Sequence, residues 1–361
     1  MPNVEVMKPR ERVLRALSGQ PVDRPAVANP SSILTVELMD LVDAHFPQAC
    51  RDPELNARLA ATGHTELGFD SVYANPTLVA EAAALGCDIQ WEQKDNWPTV
   101  RMNNAIWNSI DDIRIPGDFL ENPDAQTVVK TVTFLKQEFG EEVAVFGKTT
   151  GPWTIGYHGF GVQNFLLMSI DDPDITLKCL HKMKEAAIIF GEAQIDAGAD
   201  ALTFADHATG DLVSGEYYRR FLLEIHQEMA ERLRVPLILH ICGKTLDRME
   251  YIAQTGMAAF HFDSKNDAQE AMDIVDGRIR MVGNINSPVT LYARGPEEVR
   301  QEVFRALDAG VNIIAPEGAA PLATKLENLL EIPRAVGEWA KLQEGVAAFG
   351  DAQQEDRHVI G

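Results

Sequence analysis

Short apolar runs recur along the chain, each closed by a polar or Gly/Pro break and followed by a longer stretch of helical period. Eight runs follow this pattern: Pro25 to Asn29, Ser71 to Asn75, Val143 to Lys148, Ala201 to Ala205, Pro236 to His240, Ala259 to Asp263, Arg280 to Asn284 and Val311 to Ala315. They lack polar alternation, so both faces of each predicted strand are covered, as happens when parallel strands are joined by helical crossovers. Helical patterns lie between them at Leu166 to Ala197, Glu216 to Arg234, Lys244 to Gly256, Pro296 to Ala309 and Leu326 to Leu342. Eight such units predict an α/β TIM (β/α)8 barrel, with a doubly wound open sheet as the alternative.

Punctuation supports these boundaries. Asp171-Asp172-Pro173 reads as a helix start with proline in the first turn, and Gly198 and Gly310 stand where helices end. A short helical extension precedes the barrel. The stretch 90–115, polar and containing Trp91, Trp97 and Trp107, breaks the alternation and is predicted as an inserted hairpin; its indoles either line a cleft or staple the insertion to the barrel. One domain is expected over 1–346, with 347–361, rich in Asp, Gln and Glu, as a disordered tail.

Composition narrows the classes. The 361 residues are 45% hydrophobic and 24% charged, and no apolar run approaches the ~20 residues of a membrane span. With no secretory apolar region near Met1, a cytoplasmic protein is expected. Four scattered cysteines, at 50, 87, 179 and 242, predict reduced thiols. A net charge of −22 argues against nucleic acid and anionic membranes as partners. It serves solubility or presents an acidic face to a partner protein, and assembly as a homodimer is left open. No phosphate-binding loop or dinucleotide fingerprint is present.

In a barrel of this kind chemistry sits where the strands end, and almost every predicted strand end here is polar. His240-Ile241-Cys242 places an imidazole and a thiol two residues apart, on one side of an extended segment, and both suit zinc. A strand-end His-x-Cys also occurs in packed cores, and zinc needs at least three protein ligands. Asp206-His207 reads either as an acid–base pair contacting substrate or as a structural hydrogen-bond pair. Asn75 joins them as a catalytic candidate, with Asn284, Asp263 and Tyr157 as candidate substrate contacts. Gly156 to Gly161 reads as a flexible loop, with Tyr157 to Gly159 on a lid.

The segment Leu239-His240-Ile241-Cys242-Gly243 resembles the zinc-binding segment of the methylcobamide:coenzyme M methyltransferases, within the uroporphyrinogen decarboxylase-like superfamily. The resemblance spans the chain. It takes in Arg10 to Pro25, Glu81 to Cys87, Gly151-Pro152-Trp153-Thr154, Val282-Gly283-Asn284 and Ala315-Pro316-Glu317-Gly318. It implies a TIM barrel, His240 and Cys242 as zinc ligands, and a methyl group exchanged with a corrinoid (methylcobalamin or cob(I)alamin) carried by a separate protein. The other reactant is a small thiol, tetrahydrofolate, or a methyl ether or alcohol. No corrinoid module is found in the chain itself: Ala205 stands where such a module would carry Asp two residues before the histidine.

Two departures matter. Val27 to Leu34 has no arginine, and Asn75 falls where the decarboxylases carry a catalytic aspartate, so porphyrinogen decarboxylation is the weaker reading. Gly318 replaces the third, cysteine ligand of the methyltransferases. An oxygen donor is then expected, Glu317 ahead of Asp263 and Glu81, unless Glu317 is a solvated loop carboxylate and the site holds no metal. Fewer thiolates make zinc a stronger Lewis acid and leave the direction of transfer open. A binding barrel without catalysis is the remaining alternative.

Overall fold

A computed structural model describes residues 6–74, 77, 79–91 and 96–358, with side chains to residue 343. All eight predicted strands form: β1 (Ala26–Val27), β2 (Ser71–Tyr73), β3 (Ala144–Thr150), β4 (Ala201–Ala205), β5 (Leu237–Ile241), β6 (Ala259–Phe262), β7 (Arg280–Ile285) and β8 (Ile313–Pro316). They pair in parallel in the order β1-β8-β7-β6-β5-β4-β3-β2. The open sheet is excluded by the way the two edges meet. The Asp70 N–H donates to the Val27 carbonyl (2.7 Å), and the Ser71 hydroxyl donates to Asn29 Oδ1 (2.5 Å) and accepts from the Asn29 N–H (2.9 Å). Side chains thus close the barrel where β1 and β2 are too short for a ladder.

Two packed layers follow from the period of two along each strand. Ala26, Ala144, Phe146, Ala201, Ile238, Ala259, Val282 and Ile313 fill the barrel interior, which Val13, Ala16 and Leu17 of the N-terminal helix Pro9–Leu17 plug from below. Val145, Leu202, Leu239, Phe260 and Met281 face the outer helices. Further along the interior rows the filling turns polar, at Lys148, Thr203, His240 and His261. The registers Lys148↔Thr203 and His240↔His261 hold these four at one level.

The helices deviate where side chains or neighbouring loops claim backbone N–H groups. The stretch 166–197 divides at the predicted cap: Asp172 accepts from the Ile175 N–H, separating Val162–Asp171 from Pro173–Asp196, and Gly198 turns the chain at φ +109°. Glu216 to Arg234 also divides, into Gly215–Phe221 and Leu223–Arg232. The helix expected over Lys244 to Gly256 shrinks to Leu246–Ile252, because the Thr245 and Leu246 N–H groups donate to Asn266 Oδ1. The insertion is a hairpin, Ile89–Gln90 against Thr99–Val100. The closing helix, Leu326–His358, carries its backbone into the segment expected as a tail, whose side chains lie outside those described. No helix among the described residues is long and apolar enough to cross a membrane.

Candidate metal and substrate site

β5 and the turn after it set the centre of the site. His240 continues the inward row of Ile238, and Cys242, two residues on, faces the same way, with Cys242 Sγ 3.0 Å from His240 Nε2. His240 Nδ1 lies 3.3 Å from the His261 carbonyl, which fixes the tautomer: Nδ1 carries the proton and donates, leaving the Nε2 lone pair for Cys242 or a metal. Burial keeps the imidazole neutral, its basicity well below the ordinary value. Burial also pushes the Cys242 thiol up to about 12, with Asp263 and Glu317 adding to the effect. A thiol in these surroundings ionises when a cation joins it.

His207, just past β4, completes a group of three. The donor atoms of His207, His240 and Cys242 all lie within 4.8 Å of one another, close to the span of one ion with bonds of ~2.0–2.3 Å. Glu317, expected as the third ligand, is not in this group. Its Oε2 accepts from the Ser264 N–H (2.8 Å) and its Oε1 from the Ser287 N–H (3.0 Å), so the carboxylate ties together the loops after β6 and β7. Gly318 does face the centre: a Cβ there would lie 3.8 Å from His240 Cε1. The side chain missing relative to the methyltransferases is missing at the metal group itself.

Several expected site residues hold the frame instead. Asp206 is fully buried, and its Oδ1 accepts from the Thr154 N–H (2.8 Å) at the start of helix Pro152–Phe160, while Oδ2 reaches His226 Nε2 (3.2 Å). The structural reading of the Asp206–His207 pair therefore holds for Asp206. Thr154 Oγ1 in turn accepts from the His207 N–H (2.8 Å), so Asp206 positions His207 through that helix. Asp263 Oδ2 accepts from the Gly243 N–H (2.7 Å) and steadies the turn after Cys242, where Gly243 sits at φ +80°. Asn284 reaches the Asn266 carbonyl (3.2 Å) and borders a separate polar cleft. Asn75 lies outside the described residues.

A cavity of about 380 Å³ opens beside the metal group. Tyr157 lines it as expected, but from a helix. Gly156 to Phe160 is buried within Pro152–Phe160, and its glycines make room for rings rather than motion: a Cβ on Gly156 would come 2.5 Å from Phe165 Cζ, and one on Gly159 2.0 Å from Trp107 Cε3. Trp107 staples the insertion, edge-on to Phe160 at 5.5 Å, whereas Trp97 packs on Phe46 and also lines the cavity. Both readings of the tryptophans are therefore realised, at different residues.

Sequence reasoning missed His158 and Lys148 as cavity residues. Burial takes His158 down to about 3 and Lys148 down to about 8, the latter opposed by Glu81. A lysine two residues beyond Phe146 on an inward row was the available signal.

The uroporphyrinogen decarboxylase (URO-D) family model matches residues 8–339. Methylcobamide:CoM methyltransferase MtaA of Methanosarcina barkeri is 32% identical over 333 residues, 91% of this chain and 98% of that protein. MtbA of Methanosarcina mazei, another methylcobamide:CoM methyltransferase, is 31% identical over 310 residues, 85% of this chain and 91% of its own. Among solved structures, a methyltransferase from Methanosarcina mazei superposes with a TM-score of 0.89 at 30% identity, covering 92% of this chain and 99% of that one. With an eight-stranded barrel, a His/Cys centre on the strand ends and similarity along nearly its whole length, the chain belongs to the uroporphyrinogen decarboxylase family, among its corrinoid-dependent methyltransferases.

Proposed function

We propose that this protein exchanges a methyl group between a small substrate and a corrinoid carried by a separate protein, and that it does so as a zinc enzyme. The observation that carries this reading is the convergence of His207, His240 and Cys242 within 4.8 Å at the mouth of a barrel similar throughout to methylcobamide:CoM methyltransferases. The donor set fits zinc: two imidazoles and a thiol, one imidazole held in the ligating tautomer by the His261 carbonyl. His207 takes the role first expected of Glu317, whose oxygens are engaged by two backbone N–H groups. Zinc bound there supplies Lewis-acid polarisation of the substrate heteroatom.

The chain's own residues do the rest. Asp206 and Thr154 fix His207, Asp263 fixes the turn at Gly243, and the cavity walls orient the substrate and exclude water. The lack of a side chain at Gly318 leaves one side of the centre open to a substrate atom. Purified protein is expected to hold close to one zinc per chain and to lose it on Cys242→Ala. It should also methylate cob(I)alamin, or demethylate methylcobalamin, with the accompanying change in visible absorption. A metal-free wild type would favour a binding barrel. No spectral change across thiols, tetrahydrofolate and methyl ethers would sink the methyl-transfer reading.

A further inference from the structure

The charge lining the cavity has the opposite sign to the molecule. In a chain of net charge −22, Lys148 is the only residue other than the histidines to bring a cationic group to the cavity, and no carboxylate lines it, among the described residues. Carboxylates are not scarce nearby. Glu81, Asp206, Asp263 and Glu317 surround the site, and each is turned to donors elsewhere. Glu81 accepts from the Thr149 and Thr150 hydroxyls (2.9 and 2.8 Å), Asp206 from the start of helix Pro152–Phe160, Asp263 from Gly243 and Lys265, and Glu317 from Ser264 and Ser287. Lys148 is 7% exposed, donates to the Thr77 carbonyl (3.1 Å) and stands 5.8 Å from the Tyr73 ring centroid, with its charge directed into the space that holds the metal group.

The remaining wall is apolar. Tyr73, Val79, Val100, Trp97 and Met102 line it, and Tyr73 and Val79 are each only 3% exposed, too deep for the face of a macrocycle to reach. Those surfaces belong to the small substrate. A volume of about 380 Å³ equals roughly a dozen water molecules at ~30 Å³ each, more than a two-carbon chain fills and enough for a substituted ring.

Resting on the methyl-transfer reading above, we propose that the substrate is an aromatic methyl ether or methyl thioether carrying one anionic group. Its ring lies on the Tyr73–Trp97–Met102 wall, its anion meets the Lys148 ammonium, and its heteroatom points to the His207, His240 and Cys242 group. On transfer the methyl carbon leaves without the bonding pair, which stays on the oxygen or sulfur. The new bond forms with the electron pair of the reduced corrinoid.

The test is calorimetric titration of the zinc-loaded full chain with three probes: 4-methoxybenzoate, methoxybenzene and 2-(methylthio)ethanesulfonate. Binding of 4-methoxybenzoate is expected to be at least tenfold tighter than that of either other probe. In Lys148→Met the advantage over methoxybenzene should vanish while that over the sulfonate shrinks, and Lys148→Arg should restore most of the first. Equal binding of the short sulfonate, equal binding of the neutral ether, or no binding of any probe to zinc-containing protein overturns the proposal. The wild-type comparison decides this even if Lys148→Met does not fold. Zinc content measured on the same sample separates the outcomes, because a metal-free protein defeats the zinc reading rather than the substrate class.

Discussion

His240 is decided by a single hydrogen bond. Its Nδ1 donates to the His261 carbonyl, so its Nε2 has no proton to lose before it binds a cation. That arrangement follows from a strand register no local pattern encodes, although the i, i+2 placement of His240 and Cys242 was legible from spacing alone. The third donor was not. Polar strand ends look alike in sequence whether they ligate or tie loops together, and Glu317, beside the lost cysteine position, was a reasonable but different choice from His207. Exchanging His207 for alanine is expected to weaken zinc retention by at least the ~10–100-fold typical of an outer-shell partner, read by competition with a chelator. Glu317→Gln should leave it nearly unchanged, and the reverse ranking would return Glu317 to the ligand set. Gly318→Cys, with its Cβ 3.8 Å from His240 Cε1, should tighten retention and strengthen thiolate charge-transfer absorption in the cobalt-substituted protein.

At the scale of elements, buried strands announced themselves and loops did not. All eight strands were legible because parallel strands covered on both faces need continuous apolar runs of limited length. Short barrel helices were less so, since their ends depend on remote acceptors such as Asn266. The glycine-rich run 156–161 misled most. Glycine there creates space for Phe165 and Trp107 inside a helix, and spacing cannot distinguish that from a mobile turn. Gly159→Ala would drive a methyl group into the Trp107 ring. The expected cost is ~1–3 kcal/mol or more of stability, seen as a lowered denaturant midpoint together with altered indole fluorescence. A variant as stable as wild type would restore the loop reading.

Across the whole molecule, the two ends of the barrel divide the work. The N-terminal segment 10–25 carried much of the family resemblance, yet its charged residues lie at the end away from the metal group. Arg12 bonds Asp23 (2.6 Å) and Asp70 (2.7 Å), Arg24 bonds Asp70 (3.0 Å), and Asp70 Oδ2 accepts from the Val27 N–H (2.9 Å) at the seam between β1 and β2. Arg12 and Asp70 are 3% and 1% exposed, so removing one partner strands a buried charge. Asp70→Asn is expected to cost ~3–5 kcal/mol of stability and to leave zinc stoichiometry in the folded protein unchanged. Loss of zinc before unfolding would show that the two ends are coupled.

The inward row of β3 reads Ala144, Phe146, Lys148, passing from packing to chemistry within three side chains. Because that row is continuous, substrate preference and barrel integrity share one strand. A new preference sought at Lys148 must therefore keep the methyl-sized and ring-sized neighbours below it. Exchanges on the hairpin at Trp97 and Met102 can reshape the opposite wall without touching the ladder, which makes that hairpin the part of this scaffold freest to change what the enzyme accepts.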